Sequence, residues 1–292
     1  MRTGSQSLQL IERSRLTSAF STIREFGIFA EGRIRAGSRG WMKLAGSVVT
    51  GDGSTAWVAE NHGGLKYEGR VEWLPFGLFR SFGQYRQADL VREVQPRLVV
   101  SGYGSYNEGV SSRRGRTSGD IIYLDEQFNE ALPDYWKVGA DALFKYRGWT
   151  VIAEWVLADA VVPVDQIKQR VRNDGTVSTT FEGGVDAYVR GRMMLGSAIN
   201  VQAGYIFPSL WSVDGRITQL SPAADSFLLN PTFYGRNAYQ ELGVSRYFGR
   251  DYGSKVQLGV VRTSAEPFAL TTRGDTFDGT EWTVRMMTTF AL

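Results

Sequence analysis

The chain contains no cysteine, which excludes a disulfide framework, cysteine-ligated zinc and thiol chemistry. It contains a single histidine, His62, which rules out a multi-histidine metal centre. No metal and no cofactor is expected. Proline is scarce, at 8 of 292 residues. A large excess of one charge is also missing. The formal net charge is +3, too balanced for a nucleic-acid binder. No apolar run approaches the roughly 18 residues of a membrane helix, and mean hydropathy is slightly negative. The opening residues 1–10 carry one arginine and no apolar core segment, so no secretory leader is visible. If the protein is exported, the sequence is expected to be a mature form or a part of a longer one.

What is present is rich in strand formers. Aromatic residues make up 13% and glycine numbers 34. Period-two alternation recurs in stretches of about ten residues, the signature of a membrane-barrel strand. It is clearest at the C-terminus. There Trp282, Val284, Met286, Thr288, Phe290 and Leu292 oppose Glu281, Thr283, Arg285, Met287 and Thr289. Outer-membrane barrels generally end on such a strand, with an aromatic residue near its end. The same pattern is read at 28–35, 42–48, 67–73, 97–103, 137–145, 150–157, 185–193, 199–205, 241–245 and 255–260. A short segment at 8–12 is added as a further strand. The reading is an all-β, antiparallel transmembrane barrel of about twelve strands, spanning the chain as one domain.

Connections alternate in length. Short turns are expected at 36–39, 147–148, 195–196 and 249–253, and long polar loops near 51–65, 106–133, 161–181, 208–234 and 265–280. Residues 77–94 break the rhythm and are expected to carry a brief helix. A soluble all-β sandwich also alternates. Against it stand the Trp and Tyr residues near strand ends, placed as an interfacial girdle would be.

Several stretches resemble the phosphate-selective porin family, the O and P porins and their relatives. They are Leu10-Ile11-Glu12-Arg13-Ser14 with Arg24-Glu25-Phe26-Gly27-Ile28, and Ala45-Gly46-Ser47-Val48-Val49-Thr50-Gly51-Asp52-Gly53. Tyr67-Glu68-Gly69-Arg70-Val71-Glu72-Trp73-Leu74-Pro75-Phe76-Gly77 is similar to that family's strand closing on Pro-Phe-Gly. Ala153-Glu154-Trp155, Val201-Gln202-Ala203-Gly204-Tyr205, Gly243-Val244-Ser245-Arg246-Tyr247-Phe248 and Arg285-Met286-Met287-Thr288-Thr289-Phe290 follow in the family's order. The resemblance implies that the chain enters the family's longer barrel, of sixteen strands, partway. The resemblance implies a passive diffusion channel of the bacterial outer membrane, not an enzyme. It further implies a homotrimer, surrounded by outer-membrane lipid and lipopolysaccharide, that passes small anions.

If the apolar set meets lipid, the other set lines the lumen. Its basic members are Arg33, Arg35, Lys43, Arg70, Arg97, Lys137, Lys145, Arg190, Arg192, Lys255 and Arg285. Its acidic members are Glu31, Glu68, Glu72, Asp141, Glu154, Asp186, Glu241 and Glu281. The small basic excess gives either a weak anion preference or a wall braced by cross-strand ion pairs. A filled lumen would make the barrel a non-conducting structural element of the envelope. A third possibility is a sheet that closes only with further strands. The loop run Arg113-Arg114-Gly115-Arg116 reads as solvated more than as a lipopolysaccharide clasp. His62 has no evident catalytic partner in the sequence, and Asp251 and Asp275 read as turn residues.

Overall fold

The computed structural model describes residues 7–21, 25–51, 62–111, 121–172, 174–232, 234–250, 252–271, 273–277 and 279–290. Among them are fourteen strands. They are β1 (Gly27–Ala36), β2 (Gly40–Val49), β3 (Lys66–Leu74), β4 (Arg97–Asn107), β5 (Ile121–Leu124), β6 (Asp134–Tyr146) and β7 (Trp149–Val161). Then follow β8 (Gln169–Arg172), β9 (Val177–Ser178), β10 (Gly196–Ile206), β11 (Trp211–Pro222), β12 (Arg236–Tyr247), β13 (Ser254–Ala265) and β14 (Thr280–Phe290). The described residues also hold two short α-helices, α1 (Arg15–Phe20) and α2 (Val185–Arg190), and 3-10 segments at Arg80–Tyr85 and Phe227–Leu229. Eleven strands form one antiparallel sheet in the order β1-β2-β3-β4-β6-β7-β10-β11-β12-β13-β14. The remaining three, β5, β8 and β9, make a small sheet of their own.

The alternation in the sequence sets the register. Leu44 stands opposite Gly32 on β1 and Val71 on β3, so one apolar row crosses three strands. Gly215 lies between Ala203 and Leu242 in the same way further along. The β6–β7 turn needs only Arg147 and Gly148, both at positive φ (48° and 97°). That is the mirror-image turn whose twist suits a tight hairpin, and glycine takes its second position without strain.

The structure departs from the sequence reading in four places. Residues 8–12 are not a strand. Residues 185–190 are helical, so Arg190 and Arg192 do not sit on the sheet. Val185, Ala187 and Val189 alternate, but Val185, Tyr188 and Val189 are spaced as a helix face, and Tyr188 and Val189 are buried. β11 runs through what reads as a long loop, because Asp214-Gly215-Arg216 mimics a turn. β5, β8 and β9 lie in the expected loops 106–133 and 161–181. The main sheet therefore has eleven strands where about twelve are expected. Residues 77–94 carry short 3-10 pieces within Arg80–Tyr85, broken by a kink at Ser81 and Phe82.

Burial is inverted relative to a water-soluble sheet. The face carrying Ile199, Val213, Ile217, Leu242 and Met286 is open, with Leu242 70% and Met286 72% exposed. The opposite face carries Thr150, Asn200, Asp214, Thr218 and Lys255, each at most 1% exposed. Ordinary apolar clusters gather elsewhere. The largest joins α1, α2, Tyr123, Ile167, Met194 and Leu228 to strand-end residues Tyr135, Ala160 and Leu220. Two smaller ones gather Leu74, Phe79, Val99, Leu143 and Ile152, and Ala88, Leu90, Ile206, Tyr247 and Tyr252.

Candidate functional site

The buried polar face is the part of the molecule with chemistry to offer, and much of it is occupied by the chain itself. Residues 7–21 lie against it. Gln9 is 2% exposed and all its polar atoms are engaged. Its amide N–H donates to Gln87 Oε1 (3.0 Å) and its side-chain Nε2 donates to Asp214 Oδ1 (2.9 Å). Gln202 Nε2 donates to Gln9 Oε1 (2.8 Å), and Gln257 Nε2 donates to the Gln9 carbonyl (2.6 Å). Lys255 Nζ donates to the Leu8 carbonyl (2.6 Å), Arg216 to the Glu12 carbonyl (2.8 Å) and Lys137 to the Phe20 carbonyl (2.8 Å). A segment without its own ladder has its main-chain carbonyls satisfied by side chains of the sheet, as burial demands.

The wall is shaped for this segment. At Gly243 an added Cβ would come within 2.6 Å of Leu10 Cδ2, and at Gly204 within 2.7 Å of Gln9 Nε2. A Cβ at either position would push on the ends of the Leu10 and Gln9 side chains, and at Gly204 first on Asp214 of the sheet, so glycine eases the close approach. Glu12 meets Arg285 of β14 at 2.8 Å, while α1 faces β1 across a cavity. The one inner segment is thus flanked by both ends of the sheet.

Residues 79–93 cover a second part of the same face. Lys145 Nζ donates to the carbonyls of Gly83 (3.0 Å) and Ala88 (2.8 Å). Asp89 accepts from the Gly148 amide (2.8 Å) and from the Glu93 amide (3.0 Å). Glu93 accepts from the Arg80 amide (2.7 Å) and forms an ion pair with the Arg80 side chain (3.1 Å).

The eleven basic residues expected to share one lining fall into different settings. Lys137, Lys145 and Lys255 are buried and spent on carbonyls. Arg70 forks onto Asp141 at 2.8 and 2.9 Å and also pairs with Glu72 (2.8 Å). Arg97 bonds the Phe76 carbonyl, and Arg285 meets Glu12. Arg33 and Arg35 stack on Trp41, and Lys43 donates to the Tyr85 hydroxyl (3.1 Å). Arg190, off the sheet, pairs with Asp159 (2.6 Å) and bonds the Ala160 carbonyl (3.0 Å). Arg192 lies 3.4 Å over the Tyr188 ring. Burial there, with Arg170 and Arg172 close by, lowers its pKa from the ordinary guanidinium value.

The acidic set divides similarly. Asp141, Glu72 and Glu241 are buried in ion pairs, with Glu241 on Arg216. Glu68 pairs with Lys66 (2.7 Å), Glu281 with Arg236 (2.6 Å), Glu154 accepts from Asn200 (2.8 Å), and Asp186 lies 4.0 Å from Arg190. Asp214, which accepts from Gln9, is the inner residue that sequence reasoning missed. Its signal was alternation within 211–219, hidden by the turn-like centre. His62, without an evident partner in the sequence, meets Glu130 at 2.5 Å, and the Gly63 amide donates to the same carboxylate (3.0 Å). Arg113, Arg114, Arg116 and Asp251 lie outside the described residues. Asp275 belongs to a turn closed by Thr271 (2.8 Å).

Among the described residues, open space on the polar face includes the stretch along β1–β4. Two cavities of about 580 Å³ each sit there, one roofed by α1 and the other by residues 78–85. Compared with protein-family models, with curated proteins and with solved structures, the chain finds no match.

Proposed function

We propose that this chain is the wall and inner plug of an outer-membrane β-barrel of the porin kind, a passive diffusion channel and not an enzyme. The observation that carries the reading is the inverted burial. A sheet with exposed Val, Ile, Leu and Trp on one face and buried Lys, Asp, Gln and Thr on the other fits lipid outside and a polar interior. In water such a face would far exceed the few hundred Å² of contiguous apolar surface that soluble monomers tolerate. Strand length agrees: β10 has 11 residues and β1 has 10, close to the 9–11 of a tilted membrane strand. The resemblance to the phosphate-selective porins supports the same reading and adds the homotrimer and the lipopolysaccharide-bearing membrane.

The competing reading is a closed barrel that conducts nothing and braces an envelope assembly. It is favoured by the fitted seat of residues 8–12. The two separate in planar bilayers. A channel gives discrete conductance steps from the purified protein, and their absence in protein shown to be inserted would leave the structural barrel. The weak anion preference expected from the count of basic residues now depends on few of them, since Lys145, Lys255 and Arg190 are spent on carbonyls and carboxylates.

A further inference from the structure

The two cavities along β1–β4 are joined at one place. Both are lined by Glu31, Ala45 and Arg70. These three residues form a single cross-strand row, since Glu31 pairs in register with Ala45 and Ala45 with Arg70. Ala45 is the small residue at the centre of that row. On one side of the row, α1 supplies Leu16, Thr17 and Phe20 to the cavity. On the other, Leu78, Phe79 and Gln84 roof it. Elsewhere on the polar face Gln9, Leu10 and the 79–93 segment lie in contact with the wall.

We propose that solute passes off-centre, along the inner surface of β1–β4, with its neck at the Glu31–Ala45–Arg70 row, and that it favours neutral and zwitterionic polar solutes over simple ions. The inference rests on the channel reading above. The charge pattern supplies the solute class. Of the β1–β3 residues that line the two cavities, Glu31, Glu68 and Glu72 stand against Arg33, Lys43 and Arg70, three of each sign, while Arg35 and Lys66 on the same face line neither. Lys137 and Glu154 at the far wall add one of each. Each row also holds both signs. Arg33 and Lys43 share their row with Glu72, Glu31 shares its row with Arg70, and Glu68 shares its row, through Ser105, with Lys137. A small ion attracted to one wall residue therefore lies close to a group of the opposite sign, which offsets that attraction. A neutral solute loses nothing by this balance, and a zwitterion can match both signs within one row. The side chains present also hydrogen-bond such solutes: Ser47, Ser105 and Tyr103 line one cavity, Gln84 and Tyr85 the other.

Ala45→Cys in the full chain tests the neck after folding and insertion. With channels open in a planar bilayer, a bulky water-soluble thiol reagent should lower the unit conductance of A45C several-fold. Ser245→Cys, whose position is 1% exposed beside Gln9, should be unaffected. In a potassium chloride gradient the unmodified channel should reverse near zero. A45E should move the reversal toward cations and A45K toward anions. In proteoliposome swelling, glycine and a neutral monosaccharide should enter faster than sodium gluconate. Unchanged conductance in modified A45C would overturn the off-centre path while leaving the channel reading intact. A strong unmodified preference for anions would overturn the solute class alone. An inserted protein that never conducts would instead remove the channel reading itself, and the path with it.

Discussion

The stretch from β6 to β13 and the stretch from β1 to β3 share one strand grammar yet end in opposite conditions. In the first, the polar row is sealed: Gln202, Asp214, Ser245, Lys255 and Gln257 are at most 1% exposed, each against the inner segment or a neighbour. In the second, Glu31, Arg33 and Arg35 are exposed although they occupy equivalent inward positions. Alternation therefore decides only which way a side chain points. What it meets there depends on whether residues 7–21 or 79–93 reach that part of the face. A polar group under the plug must be fully matched or it costs dearly, whereas the same group on the open stretch answers to water.

Substitutions can break that contrast. The largest effect is expected at Arg216→Met, which strips Glu241 of its buried partner and the Glu12 carbonyl of a donor. Removing one member of such a pair should cost about 3–5 kcal/mol. Arg33→Met on the open stretch should stay within about 0.5 kcal/mol. Reversible urea unfolding from lipid vesicles measures both, and equal losses would erase the distinction between the two regions. Next in size is Val201→Arg, placed mid-strand on the apolar face, where Val201 is 46% exposed. In a bilayer it should cost about 2–4 kcal/mol. A gain in solubility without loss of stability would mean that the face meets water. The smallest effect is expected at Arg285→Gln. Its pair with Glu12 is at the half-open margin, with side chains 38% and 56% exposed. The change should cost about 0.2–1 kcal/mol and shrink further in high salt.

Most of the main sheet was legible in the sequence because its two faces carry opposite chemistry on alternate residues. Trp282, Val284 and Met286 against Thr283 and Arg285 could be assigned to faces without a structure, and the burial of β14 follows that assignment. What could not be read was anything decided by tertiary contact. Leu8 to Glu12 alternates weakly, but its carbonyls are taken by Lys255, Gln257 and Arg216 from strands more than two hundred residues away. Those partners outbid a ladder that no local pattern could exclude. Val185 to Arg190 satisfies both periods at once, and burial of Tyr188 and Val189 against the loop cluster selects the helix. The basic residues were legible as a set but not as a site. Whether a lysine faces solute or a carbonyl, as Lys145 does, depends on the course of residues 79–93.

The unbroken antiparallel order of the wall fixes a matter of direction. With eleven strands, β1 and β14 point the same way, and among the described residues each pairs with one neighbour. On the proposed membrane reading, lipid offers nothing to hydrogen-bond a bare strand edge, so these two would have to be sealed. Joined to each other they would make a parallel seam, with slanted bonds and slightly weaker pairing. Any insert that keeps the seam antiparallel on both sides must bring an odd number of strands. The parity of the sheet thus restricts what could pair with both of its edges.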